Sequence, residues 1–197
     1  MNHFLETLSA LDNDITLSVN AWSSPLSDAL WRTMSDKEIW FPLYALIAAL
    51  LLLKLGWRRG LVALLAVALT VLLCDQVSGL VKDWADRLRP CHDQGMLDRG
   101  LRVLERRGSL YGFFSAHSAN AIGIAVTSLM FLKLSGRGAL VRVYSGLICI
   151  WALMVSVSRV FVGKHFFGDV VVGIFAGYLI GLAVWRILRP WALKIAK

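Results

Sequence analysis

Three short clusters hold the side chains of this sequence that can do chemistry. The first is Lys82–Asp83–Trp84–Ala85–Asp86–Arg87–Leu88–Arg89–Pro90, and the second is Phe113–Phe114–Ser115–Ala116–His117–Ser118. The third comprises Ser158–Arg159, Lys164–His165 and Gly168–Asp169. Pooled, they supply the cations of Lys82, Arg89 and Arg159, the imidazoles of His117 and His165, the hydroxyl of Ser115 and the carboxylate of Asp169. That set suits phosphoryl transfer. A phosphate ester is dianionic at most, so Arg offers it a two-pronged contact and Lys a point charge. Ser115 and backbone N–H groups near a helix start add donors. An uncharged imidazole nitrogen can attack phosphorus while a carboxylate on the other nitrogen fixes tautomer and orientation. Asp169, one helical turn after His165, is placed for that task. The leaving alkoxide then needs a proton, for which His117 is the remaining candidate.

Taken singly, each cluster has an ordinary explanation. Lys82 and Arg159 read as anchors at membrane ends, His117 as a packed histidine, and His165 with Asp169 as an i, i+4 pair. The weight comes from all three meeting at one face, and this depends on the elements that carry them. Lys82 and Arg89 stand two helical turns apart, so the spacing predicts a shared helix face, with Pro90 ending the helix. His92 reads as a loop residue. Arg87, Arg102, Arg106 and Arg107 read as solvated or headgroup-facing, with room for one to touch a second phosphate.

The composition points to a bilayer. Hydrophobic residues make up 57% of the 197 residues and charged residues 17%, with eight Trp. A soluble domain is about half apolar and about a quarter charged. The length suits one domain over 1–197, with 1–38 a weakly defined N-terminal segment. The formal charge of +8 is compatible with nucleic acid, but these bases sit in short turns between apolar runs, not on one solvated face, and nucleic acid is not an expected partner. Cys74, Cys91 and Cys149 have no zinc or CxxC spacing. Cys74 and Cys149 read as small buried residues. No cleavable signal is expected in a start that holds Glu6 and scattered apolar residues.

Five uncharged runs predict transmembrane helices: Ile39–Leu53, Gly60–Cys74, Ser118–Leu132, Val143–Ser158 and Val170–Trp185. Each is shorter than the roughly 20 residues that span a bilayer, so flanking Lys and Arg must snorkel and polar site residues must complete the ends. Threaded alternately, the runs put Lys54/Arg58/Arg59, Lys133/Arg137/Arg142 and Arg186/Arg189/Lys194/Lys197 on one side, with no acid among them. The acids from Asp28 to Asp169 fall on the other. This is the positive-inside pattern, so the basic side is expected to be cytoplasmic. Residues 11–34, broken by Ser-Ser-Pro, read as an interfacial amphipathic helix or a sixth, poor span. A sixth is favoured, which would put both termini in the cytoplasm. The polar stretch 82–115 lies on the outer side, and a connection of that length is expected to be functional or disordered. The fold class is therefore all-α, an integral membrane bundle.

Lys82-x6-Arg89-Pro90, Ser115-x-His117 and Ser158-Arg159-x5-His165-x3-Asp169 resemble, in order and spacing, the three signature motifs of the type-2 phosphatidic acid phosphatase superfamily. The resemblance covers roughly 75–185. It implies a helical membrane bundle that hydrolyses a phosphate without metal or other cofactor. It makes His165 the nucleophile, Asp169 its partner and His117 the general acid, with Lys82, Arg89, Ser115 and Arg159 cradling the phosphate. The second motif departs from the usual Pro-Ser-Gly-His, with Phe114 and Ala116 replacing Pro and Gly. Ala takes positive φ less cheaply than Gly, which puts the backbone around Ser115 in question.

The expected substrate is a membrane lipid phosphate met at headgroup depth on the outer face of a bacterial inner membrane. Undecaprenyl diphosphate is the first choice. Phosphatidylglycerol phosphate, phosphatidic acid and lipid A 1-phosphate are alternatives. Transfer to an acceptor other than water is a second chemistry, and a phospholipid-binding transporter is the non-enzymatic alternative. Oligomeric state leaves no trace in the sequence.

Overall fold

The computed structural model describes residues 2–195. Eight α-helices follow in order: α1 (Asn2–Asn20), α2 (Pro25–Ser35), α3 (Phe41–Leu55), α4 (Trp57–Ala85), α5 (Gln94–Asp98), α6 (Ala116–Leu132), α7 (Ala139–Phe161) and α8 (Phe167–Lys194). Among the described residues there is no strand, only an isolated bridge between Leu88 and Tyr111. Five helices are long and apolar enough to cross a membrane, and these include all five expected runs. They outgrow the uncharged runs. The second crosses from Trp57 to Ala85 and the last from Phe167 to Lys194, 29 and 28 residues, or about 43 and 42 Å at 1.5 Å per residue.

The favoured sixth span is not formed. Ser24 caps α2, its hydroxyl accepting from the Ser27 N–H, and Pro25 opens the helix, so the Ser-Ser-Pro break separates two helices. α1 packs on α7 and α8, and α2 on α7. α1 leaves Phe4, Leu8 and Leu11 exposed while Thr16 and Asn20 are fully buried. Its polar face points inward and its apolar face outward. The Asp12–Asn20 part of α1 binds the start of α8, so it lies at the opposite end of the bundle from Lys194.

α6 is the central helix, with more than half of its span buried. Its closest partner is α8, and glycines explain why. Gly173, Gly177 and Gly181 recur every fourth residue along one face of α8. A Cβ on Gly173 would stand 2.6 Å from the Ser115 carbonyl oxygen, on Gly177 2.8 Å from Ala119 Cα, and on Gly181 3.1 Å from the Gly123 oxygen. α4 closes on the same level, where Thr70 and Thr127 share a hydrogen bond of 2.9 Å. In a bilayer no hydrophobic force draws helices together, so backbone approach and polar contacts must hold them. This contact brings Ser115, at the start of α6, within 3.0 Å of the Asp169 carbonyl oxygen through its own N–H.

The stretch 82–115 is ordered. Met96, Leu101 and Phe166 form a small buried cluster beneath it. Cys91 and Cys74 are buried, whereas Cys149 is exposed on α7, against the expectation of burial; an apolar face turned to lipid carries such a residue without penalty.

Candidate active site

α4 does not reach Pro90. Asp86 takes φ 47°, a left-handed conformation that ends the helix and that Asp tolerates better than most residues. The chain then runs extended. Arg89 N–H donates to the Leu110 oxygen and Gly112 N–H to the Arg87 oxygen, both at 2.9 Å, on either side of the Leu88–Tyr111 bridge. Lys82 and Arg89 therefore do not share a helix face, which corrects the sequence expectation. In an extended segment it is residues two apart that share a face, and Arg87 and Arg89 both turn to the third cluster.

His165 sits in the loop between α7 and α8, 1% exposed. The turn before it needs Gly163, whose φ is +76° and where an added Cβ would run into the Arg102 carbonyl. His165 Nδ1 lies 3.4 Å from Asp169 Oδ2. On the other side of the ring, Arg89 Nη1 lies 3.4 Å from Nε2. Arg89 is held by Ser109 Oγ at 2.8 Å and the Tyr111 oxygen at 3.1 Å. Burial pushes the imidazole well below its ordinary 6.5, and the charges of Arg89, Arg159, Lys82 and Lys164 push it the same way. The ring is uncharged at neutral pH. Gly112 makes room here, since a Cβ would stand 2.8 Å from Arg89 Cγ and 3.4 Å from Asp169 Oδ2.

Ser115 caps α6, its hydroxyl accepting from the Ser118 N–H at 3.3 Å and from the Ser118 hydroxyl at 3.0 Å. Ala116 is the first helical residue, and Asp86 is the one non-glycine residue with positive φ among those described. The site thus makes no demand on position 116 that Ala cannot meet. Lys82 Nζ reaches Ser78 Oγ at 2.7 Å. Arg159, 3% exposed, donates to the Ser35 hydroxyl and meets Glu105 at 3.5 Å, while its Nε–H has no partner. Lys164 binds the backbone oxygens of Arg106 and Arg107 and so ties the loop down over His165. The structure brings His165, Asp169 and Arg89 into contact, with Ser115 joined to Asp169 through the backbone; Lys82 and Arg159 have no direct bond to that trio.

His117 lines a cavity of about 440 Å³ between α3, α4, α6 and α7. Ser35, Lys37, Asp75 and Asn120 surround the same end, and Leu64, Val67 and Ile124 line it further along. Asp75, one of the acids expected on the outer side, lies within α4. α4 continues ten residues past it, about 15 Å, and Asn120 Nδ2 donates to its carboxylate at 2.8 Å.

The clearest omission of the sequence reading is Arg87. It is half-buried and ion-paired: Nη1 donates to Asp169 Oδ1 at 2.7 Å and Nη2 to Asp12 Oδ2 at 2.6 Å. Arg102 likewise pairs with Asp28 and Asn20. Only the two-residue spacing of Arg87 and Arg89 could have signalled the first, and only if the segment had been read as extended.

A family model described as the PAP2 superfamily matches residues 59–192. A lipid A 4′-phosphatase of Bacteroides thetaiotaomicron is 33% identical over 175 residues, covering 88% of this chain and 75% of that protein. A lipid A 4′-phosphatase of Porphyromonas gingivalis is 30% identical over 185 residues, covering 93% and 75%. Among solved structures, a transmembrane PAP2-type phosphatidylglycerolphosphate phosphatase from Bacillus subtilis superposes with a TM-score of 0.69 over 96% of this chain and 88% of that one, at 22% identity; at that identity the likeness concerns the fold. With the motif order, the spanning helices and the match over most of the chain, this protein belongs to the PAP2 superfamily and is one of its membrane lipid phosphatases.

Proposed function

We propose that the chain hydrolyses a phosphate monoester of lipid A, the 4′-phosphate first among them, through a phosphohistidine on His165. The observation that carries the chemistry is the pair of contacts on that ring. With Nδ1–H donating to Asp169, the Nε2 lone pair faces Arg89, where a phosphate oxygen would be held. Nε2 attacks phosphorus, the P–N bond forms and the P–O ester bond breaks. The leaving oxygen takes a proton from His117. Water then attacks the phosphohistidine, giving a proton to His117 as the P–N bond breaks, and inorganic phosphate departs. Arg89, Arg159, Lys82 and Ser115 hold phosphate oxygens, and the unpartnered Arg159 Nε–H is a donor suited to one.

The lipid assignment rests on the names of the two relatives and on the cavity beside His117, polar at one end and apolar along its length, as an amphiphile requires. This moves lipid A ahead of undecaprenyl diphosphate. By the positive-inside pattern the site opens on the outer face of a bacterial inner membrane.

The test is phosphate release by detergent-purified protein from lipid A, undecaprenyl diphosphate, phosphatidylglycerol phosphate and phosphatidic acid. Release from lipid A, lost in His165→Ala and unaffected by EDTA, is expected. Turnover of another lipid alone would refute the substrate, phosphate transferred to an added alcohol would refute simple hydrolysis, and inhibition by EDTA would refute metal independence. No release from any lipid would favour a binding role.

A further inference from the structure

The family model begins at residue 59, yet α1 is built into the site. Asp12, Thr16 and Asn20, four residues apart, share one helix face. Asp12 Oδ1 accepts from the Gly168 N–H at 2.7 Å and Thr16 Oγ1 from the Phe167 N–H at 3.0 Å. These N–H groups open α8 and have no partner within the helix. Asn20 Nδ2 donates to the oxygens of Phe161 and Arg102 at 2.9 Å and of Val160 at 3.3 Å. One face of α1 thus grips the last turn of α7 and the first turn of α8, on both sides of His165. Gly168 permits the approach, since a Cβ there would stand 2.9 Å from Asp12 Oδ2.

Arg87 completes the connection. Its guanidinium joins Asp12 Oδ2 to Asp169 Oδ1 and lies 4.1 Å over the Phe166 ring. Asp169 Oδ2 takes the Phe166 N–H at 3.1 Å and the His165 ring nitrogen at 3.4 Å. A fork on two carboxylates fixes direction as well as charge. Without Arg87, Oδ1 loses its side-chain partner and the carboxylate is free to turn, so Oδ2 no longer fixes the ring.

We propose that Asp12 and Arg87 are positioning residues, through which α1 sets the Asp169 carboxylate that orients His165. Neither touches substrate. The inference rests on His165 being the nucleophile. Outer partners of this kind change rates by about 10–100-fold when removed.

The experiment compares wild type with Asp12→Asn, Arg87→Gln, Arg87→Lys, the Asp12→Asn/Arg87→Gln double variant, Thr16→Val and His165→Ala. Lipid A in mixed micelles is the substrate, and kcat, KM and thermal unfolding are read for each. The expected result is a kcat drop of about 10–100-fold for Asp12→Asn and Arg87→Gln with KM within about threefold. Arg87→Lys, which keeps the charge but not the fork, should fall between. The double variant should be no slower than the slower single one, because both act on one chain of contacts. Thr16→Val, which loosens the same helix outside that chain, should lower the unfolding temperature and leave kcat within about threefold. Unchanged kcat in Arg87→Gln, single losses that multiply in the double variant, or an equal kcat loss in Thr16→Val would overturn the proposal. Turnover by His165→Ala would instead bring down the nucleophile reading beneath it.

Discussion

His165 is a base whose usefulness depends on staying unprotonated, and its surroundings bear on that in a measurable way. Burial and four cations lower its pKa well below 6.5. In the folded protein the ring therefore stays neutral through the pH range where a free histidine takes up a proton. With substrate ionisation corrected for, the acid limb of kcat/KM is expected to lie below pH 6.5; a limb centred at or above that value would contradict the electrostatics. The same shift has a stability sign. The unfolded chain binds the proton first, so the His165 contribution is fully present above the unfolded value and is lost as pH falls through it towards the folded value. Thermal unfolding of the detergent-purified wild type should consequently soften on acidification more than that of His165→Ala. His117 has a separate signature. As the acid for the leaving group it matters most when that group is a poor one, so His117→Ala should slow an alkyl phosphate far more than an aryl phosphate. Equal losses on the two would remove it from that role.

The glycine face of α8 is an element-scale device, and its effect on the site is indirect. It seats Ser115 and Asp169 together because the two backbones close to contact distance at Gly173 and Gly177. Gly177→Val would force the added side chain into the Ala119 backbone, which no rotamer relieves, at a cost of at least about 1–3 kcal/mol. Gly146→Val makes the opposite prediction: a Cβ there meets nothing within 4 Å. Thermal unfolding of the two variants in detergent should separate clearly, and equal unfolding temperatures would show that the close contact does not hold the bundle. The extended Arg87–Arg89 segment is the second such device. Gly112→Ala, which pushes on Arg89 Cγ, should lower kcat/KM on lipid A without a matching loss of thermal stability.

At the scale of the whole molecule, the expected orientation puts the site and α1 on the outer face and the three basic clusters inside. After replacement of Cys74, Cys91 and Cys149, a cysteine at Asp98 should react with an impermeant maleimide from outside intact cells, and one at Gly136 should react only after lysis. The reverse pattern would invert the topology. This arrangement also explains why a chain this short holds a buried ionic site. Five spans alone leave the His165 loop open at one end, and the ordered stretch 82–115 and α1 close it from two sides.

The class of fold, the spanning runs and the pairing of His165 with Asp169 were legible before any coordinates. Bilayer insertion selects long uncharged segments regardless of what they pack against, and phosphate chemistry needs a small, recognisable set of groups. Three things were decided by tertiary contacts. α4 keeps Asp75 within its span because a cavity and Asn120 accommodate the carboxylate. Arg87 becomes half-buried because Asp86 ends the helix and the extended chain turns it towards two acids. α1, with no motif of its own, joins the site because its face matches exposed backbone groups at the ends of two other helices. A hydrogen bond to a distant backbone atom constrains which atoms meet, not which residue types follow one another, so it has no spacing to read.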